Sequence, residues 1–388
     1  MPEESLLSPP MLSELSRCAG TPARPVHDVR ILRDGSEAFP AMLDLIRSAT
    51  RSVWFENFIF AGDETGQRFA RALGEAARRG VEVRVIYDPV GTMMVKGGSI
   101  AKALAAEHVT SRAFRPVSLC DPRTWARLRH RDHRKTMVVD GQVAVVGGLC
   151  ISDNWASHDD GGHNWRDTAV EVRGPLVGDV GIAFDSMWQR AGGEDVPAPS
   201  VFSETPPSVP CGLVAADRPG AHRVGSIYVW LAQHAQKSLQ ITDAYLVTPE
   251  PVVAAFEAAA RRGVRVEFLL PGNNNHPFAA ASARRRYGRL MAAGARIYEW
   301  RGMMVHAKTA VVDSEIVLVG SSNLDPLSMT RNYELNLLLA DAATGSAMSE
   351  MFRRDLDGAR PISPETWARR PLWQKIAESL ACIFDDNL

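Results

Sequence analysis

The chain carries one pattern twice, and a duplication of this size limits the possible folds more than any other feature. "HRKTMVVDGQVAVVGG" begins at His133 and "HAKTAVVDSEIVLVGS" begins at His306. In each copy a lysine stands two residues after the histidine and an aspartate seven after it, followed by an apolar run and glycine. The likeness extends upstream: "EAARRGVEVRVIYD" (75–88) matches "AAARRGVRVEFLLP" (258–271). Stacked solenoid repeats are much shorter than units of this length. A fused pair of like domains about a pseudo-two-fold axis fits the spacing better.

The local patterns indicate the kind of domain. Phe69, Leu73, Ala76 and Ala77 fall on one helical face, as do Val252, Phe256, Ala259 and Ala260. Gly80 and Gly263 follow where a left-handed C-cap belongs. The runs "VEVRVIY" and "VRVEFLL" are short and rich in branched residues, which suits strands. Further strands are expected at 51–60 and 238–247. Alternating strands and helices predict an α/β fold, with a mixed sheet flanked by helices in each unit. A Pro, Ser and Gly-rich stretch at 191–211 reads as the connection between units. The expected division is an extension at 1–25, a first unit at 26–195, a linker at 196–211, a second unit at 212–360 and a C-terminal amphipathic helix at 361–388.

Within "HRKTMVVD" a period of two puts His133, Lys135, Met137 and Val139 on one face; His306, Lys308, Ala310 and Val312 match them. The aspartate marks the turn to a returning strand, so Asp140 and Asp313 read as turn anchors. Each rigid hairpin thus presents an imidazole beside an ammonium, which suits a phosphate: lysine supplies a point charge and histidine titrates near neutrality. Phosphodiester exchange through a covalent intermediate needs two such imidazoles. One attacks phosphorus; the other protonates the departing alkoxide and then deprotonates the acceptor. Two hairpins meeting at the axis would supply both. No His, Cys or carboxylate spacing resembles a metal site.

On these residues the chain resembles the phospholipase D superfamily, whose duplicated HxKxxxxD signature is matched by His133, Lys135, Asp140 and by His306, Lys308, Asp313. The resemblance implies two phospholipase D-like units with the catalytic site at their interface, and a reaction that needs no metal or cofactor. It also implies phosphate-binding groups at Gly148, Ser321 and Asn323, with Cys150 standing where an asparagine is usual. A thiol is a weak donor, so contacts from that side are expected to be weaker. Beyond each hairpin the family places an acid that orients a histidine; Asp167 and Glu334 hold those positions. By analogy with other two-unit members, His133 is the expected nucleophile. The segments 56–91, 164–177, 294–313 and 321–337 are similar to blocks of the bacterial cardiolipin synthases, and the likeness runs from about 27 to 385. That branch implies phosphatidyl transfer to phosphatidylglycerol, with phosphatidylglycerol or phosphatidylethanolamine as donor. Water as acceptor, a nuclease of the same superfamily and a non-catalytic lipid-binding protein are the alternatives.

A net charge of −1 provides no global attraction for nucleic acid, and no run approaches a spanning helix. The N-terminus does not read as a signal peptide, and five scattered cysteines suit reduced thiols. The expected location is cytoplasmic, on the inner face of a bacterial membrane. Two segments are candidates for lipid contact. One is the stripe Leu372, Trp373, Ile376, Leu380, Ile383 and Phe384, which could instead pack on the protein. The other is the run Arg123, Arg127, Arg129, Arg131 and Arg134.

Overall fold

The structure is a computed structural model that describes residues 5–95, 99–118, 120–194, 209–274 and 276–381. The strands are β1 (Arg24–Pro25), β2 (Asp28–Arg33), β3 (Ser52–Asn57), β4 (Glu82–Tyr87), β5 (Thr110–Ala113), β6 (Lys135–Val139), β7 (Val143–Gly147), β8 (Thr168–Arg173), β9 (Cys211–Asp217), β10 (Ser238–Thr242), β11 (Arg265–Pro271), β12 (Arg296–Trp300), β13 (Thr309–Val312), β14 (Ile316–Gly320), β15 (Glu334–Ala340) and β16 (Ala359–Pro361). The helices are α1 (Pro9–Ala19), α2 (Asp34–Ser48), α3 (Glu64–Arg78), α4 (Pro89–Met93), α5 (Ala101–Ala106), α6 (Leu176–Arg190), α7 (Arg223–His234), α8 (Glu250–Arg261), α9 (Pro277–Ala292), α10 (Ala342–Asp357), α11 (Pro364–Ala368) and α12 (Leu372–Ala381).

Two mixed sheets repeat one topology. The first runs β2-β8-β7-β6-β3-β4-β5 and the second contains β9-β15-β14-β13-β10-β11-β12 in the corresponding order. Strands β3, β4 and β5 are parallel, and β6 pairs antiparallel with β3. In the second unit β10, β11 and β12 are parallel and β13 pairs antiparallel with β10. The local causes also repeat. In the first unit α3 is N-capped by Asp63, whose side chain accepts from Gly66 N–H, and buries Phe69, Leu73 and Ala76. It ends before Gly80 at φ +89°, as α8 ends before Gly263 at φ +93°, a conformation that costs glycine little.

Along β6, Met137 and Val139 enter the core beneath α2 and α3 with Phe55 and Phe69, while Val138 faces the opposite side. That opposite side is where the units meet: Val146, Val170 and Val172 share one core with Val317, Val319, Leu335 and Leu337. Burying so many branched side chains, each contributing roughly 1.5–3 kcal/mol, makes the two units one body. Helices α6 and α10 flank this joint.

Three segments depart from the sequence expectations. The strand expected at 51–60 ends at Asn57, and Phe58 turns to pack against His133 at 4.8 Å between ring centres. The N-terminal extension joins the second unit: Leu12 and Leu15 of α1 sit in its core, and β1 pairs with β9. The C-terminal α12 lies on α9, with Glu378 buried and ion-paired to Arg370 at 2.7 Å. Of the expected apolar stripe, Leu372 and Leu380 are exposed; Ile383 and Phe384 lie outside the described residues, as do the side chains of Trp373 and Ile376. The linker at 196–211 also lies almost wholly outside them.

Candidate active site

The register of the parallel strands places the site. Asn57 pairs with both Lys135 and Tyr87, so the C-terminal ends of β3 and β4 and the entrance to β6 lie on one sheet edge. Thr242, Thr309 and Leu269 repeat that arrangement. Two short backbone bridges then join the units across the axis. His133 N–H donates to Tyr333 O at 2.9 Å, and Tyr333 N–H donates to Arg131 O at 2.9 Å. Correspondingly, His306 N–H donates to Arg166 O at 2.7 Å, and Arg166 N–H donates to Met304 O at 2.9 Å. Each histidine is therefore stitched to the residue just before the other unit's acid.

The side chains follow the backbone. His133 Nδ1 lies 3.0 Å from both Glu334 oxygens, and His306 Nδ1 lies 2.8 Å from Asp167 Oδ2. The pairing is crossed: the first unit's histidine is held by the second unit's acid and vice versa. All four groups are buried. With Nδ1 held, each ring leaves Nε2 as its reactive nitrogen. Lys135 and Lys308 reach back to the carbonyls of His133 and His306, and Lys308 Nζ is 2.9 Å from His306 Nδ1.

Burial and neighbouring ammonium groups hold both imidazoles neutral. His133 lies well below its ordinary value, through burial and then Lys135 and Lys308; His306 is lowered to about 3 by burial and Lys308. Burial lowers Lys308 to about 8. The two acids diverge. Burial pushes Glu334 up to about 7, against the pull of Lys135 and Ser321. Burial also opposes ionisation of Asp167, but His306, Lys308 and Trp155 outweigh it and hold the group below its ordinary value.

The other expected residues divide into those near the reacting groups and those remote from them. Ser321 Oγ donates to Glu334, and Leu335 N–H donates to Ser321 Oγ at 3.0 Å. Asn323 is buried beyond it, with an Oδ1 that has no hydrogen-bond partner among the described residues. Gly148 is required by close approach: a Cβ there would come within 2.2 Å of Asp167 Oδ1. Cys150 is buried in the first core, where burial raises its thiol pKa. Asp140 and Asp313 do not join the cluster; they sit at the far ends of their strands. Asp140 accepts from the N–H groups of Thr50, Arg51 and Ser52, and Asp313 from those of Gln236, Lys237 and Ser238. The family signature groups both aspartates with the catalytic histidines and lysines; that grouping is corrected here to turn anchorage, which follows from the left-handed backbone at Asp140-Gly141 and Asp313-Ser314.

The arginine run likewise does not form a single exposed patch. Arg131 is buried in an ion pair with Asp88 at 2.6 Å, and Arg134 is buried against Ala183 O at 2.9 Å; only Arg123, Arg127 and Arg129 face solvent.

Comparison with known proteins agrees with this geometry. A family described as "Cardiolipin synthase, PLD-like domain" matches residues 42–172 and 229–356, one segment in each unit. The chain belongs to this family. Among curated relatives, the cardiolipin synthase of Clostridium perfringens is 31% identical over 363 residues, covering 91% of this chain and 75% of that protein. The cardiolipin synthase of a Geobacillus species is 30% identical over 391 residues, covering 98% and 76%. The major cardiolipin synthase ClsA of Bacillus subtilis is 28% identical, covering 93% and 76%. Among solved structures, a phosphatidylserine synthase from Haemophilus influenzae superposes with a TM-score of 0.73 over 97% of this chain and 99% of that one, at 14% identity. That last likeness concerns the fold.

The family's paired motifs led directly to the histidines and lysines, but four neighbours escaped sequence reasoning. Trp155 donates Nε1–H to Asp167 Oδ2 at 2.8 Å and meets His306 edge-on. Phe58 lies beside His133 and under Lys135. Burial raises Asp243 to about 8 and Asp325 to about 7, and both lie within electrostatic reach of Lys308. Trp155, alone in the polar loop "SDNWASHDD", was the one visible signal.

Proposed function

We propose that this chain is a phosphatidyltransferase that makes cardiolipin from phosphatidylglycerol and a second phospholipid, through a phosphohistidine intermediate, at the inner face of a bacterial membrane. The observation that carries this reading is the crossed pair of buried imidazoles, each held by a carboxylate of the other unit and each beside a lysine. Once the anionic donor is bound, His306 takes a proton from solvent; His133 Nε2 then attacks the donor phosphorus while the His306 imidazolium gives that proton to the departing head-group oxygen. Ionised Asp167 is the partner suited to an imidazolium on His306, and the bound phosphate adds to that stabilisation. Lys135 and Lys308 neutralise the non-bridging oxygens. The free hydroxyl of phosphatidylglycerol then gives its proton to His306 and attacks phosphorus, restoring His133 and releasing cardiolipin.

Incubation with phosphatidylglycerol, alone and with phosphatidylethanolamine, followed by lipid separation tests the reading. Cardiolipin with released glycerol or ethanolamine is expected, and the released alcohol identifies the donor. Phosphatidic acid as sole product would replace this reading with hydrolysis, and unchanged lipid would overturn it.

A further inference from the structure

The loops that surround the reaction centre have a composition their catalytic role does not explain. They leave the sheets at the edge where His133 and His306 enter: residues 88–95, 114–118 and 120–134 in the first unit, 272–274, 276–278 and 301–306 in the second. Ten large apolar side chains are exposed among the described residues, and six of them stand on these loops or the helix starts they feed: Met93, Met94, Trp125, Leu128, Phe278 and Met303. Both units contribute. A soluble protein scatters exposed apolar residues singly over its whole surface; concentration on one face marks a contact.

On these four loops the charge is one-sided, while the exposed acids of this edge, Glu64, Asp159, Asp160 and Glu250, stand on other loops and helix starts. Arg123, Arg127, Arg129 and Arg301 are exposed. Asp88 and Asp132 are buried, and the third acid, Asp121, is half-buried with its carboxylate accepting from Arg123 N–H at 3.1 Å. A cavity of about 290 Å³ is lined by Arg190, Arg218 and Tyr333, the residue before Glu334, with Arg190 over the Tyr333 ring at 5.5 Å. On those four loops, apolar tips set among arginines without a fully exposed acid match an anionic bilayer, where the tips reach the acyl boundary and the guanidinium groups meet phosphate. A face rich in both signs would instead have suited a protein partner.

We infer that this rim is the face on which the protein docks onto anionic phospholipid membrane, seating the histidine pair directly over the head groups; α12 is not the anchor. The inference rests on the lipid reading of the site but is tested by binding alone. Co-sedimentation with vesicles of phosphatidylglycerol and phosphatidylcholine would be compared for wild type, for the combined variant Trp125→Ser, Leu128→Ser, Phe278→Ser, Met303→Ser, and for Leu372→Ser, Leu380→Ser on α12. The rim variant is expected to lose at least tenfold in partitioning while keeping its thermal midpoint and its turnover of monomeric dihexanoyl phosphatidylglycerol. The α12 variant is expected to bind as wild type. Arg123→Gln, Arg127→Gln, Arg129→Gln should lose binding on anionic vesicles and little on pure phosphatidylcholine. Rim-variant binding within twofold of wild type, loss confined to the α12 variant, or no vesicle binding by the wild type would overturn it. Wild type that binds vesicles through the rim yet transfers no phosphatidyl group would sink the proposed function and leave this inference standing.

Discussion

The Asp167–His306 pair and the Glu334–His133 pair occupy equivalent places about the pseudo-two-fold axis, yet their surroundings differ. Asp167 Oδ1 accepts from Thr168 N–H at 2.7 Å, while its Oδ2 takes both Trp155 Nε1–H and His306. Glu334 is bonded by Ser321, Ser328 and His133, and has no tryptophan donor among the described residues. Burial opposes ionisation of both; His306, Lys308 and Trp155 outweigh it at Asp167, whereas Lys135, Ser321 and Ser328 do not at Glu334, and a buried carboxylate stays ionised only where hydrogen bonds and positive charge replace lost water. Asp167 is therefore a fixed anion, while Glu334 titrates near neutrality. Duplication conserved the strands that carry the histidines, and divergence of the loops made the halves chemically distinct: one suits an acid–base imidazolium, the other a neutral nucleophile.

The largest effects should come from the imidazoles themselves. His133→Ala and His306→Ala should each lower kcat by on the order of 10³-fold or more with a cooperative melt retained. Phosphate trapped from labelled donor should map to His133. Full activity in either folded variant, or label on His306, would break the division of labour.

Next, the acids should separate. Asp167→Asn removes the fixed anion and should cost roughly 10²-fold or more in kcat, while Glu334→Gln, which resembles the neutral acid, should cost about tenfold. Equal losses would erase the asymmetry. The pH profile sharpens this point. Ionised Glu334 stabilises the cationic ring formed when His133 takes phosphorus, so kcat should fall as pH drops through about 7, and Glu334→Gln should lose that inflection.

Stability should run the other way. The folded pKa of Glu334 is raised, so its contribution is full below the ordinary carboxylate range and is lost as pH rises through about 7. Glu334→Gln should therefore gain thermal midpoint relative to wild type between pH 5 and pH 8. A constant difference would show that Glu334 does not change charge there.

Smaller effects belong to the turn end of the hairpins. Asp140→Ala should destabilise by roughly 1–3 kcal/mol through lost charged hydrogen bonds, with kcat per folded molecule nearly unchanged. A large kcat loss would return Asp140 to the catalytic group. Smallest of all, a chelator should leave turnover as it was, since two lysines supply the positive charge; loss restored by one divalent ion would contradict this.

Much of this was legible in the sequence because it was local or repeated. Period two along "HRKTMVVD", the glycine stops at Gly80 and Gly263 and the duplicated spacing all act within a few residues. Crossing of the acids was not legible: Glu334 is 201 residues from His133 and Asp167 is 139 from His306, so only the packed interface decides which meets which. The same holds for Arg131, which reads as solvated charge until β4 brings Asp88 beneath it. Likewise α1 packs on a unit that follows it by the whole length of the first, and no periodicity specifies its partner.

The crossed pairing is most directly tested by proton NMR of the imidazole Nδ1–H groups in ¹⁵N-histidine-labelled protein, with signals assigned through His133→Gln and His306→Gln. Asp167→Asn should shift or abolish the His306 signal and leave that of His133, and Glu334→Gln should do the reverse. If Asp167→Asn instead removes the His133 signal and spares His306, each acid serves its own unit and the crossed site described above is wrong.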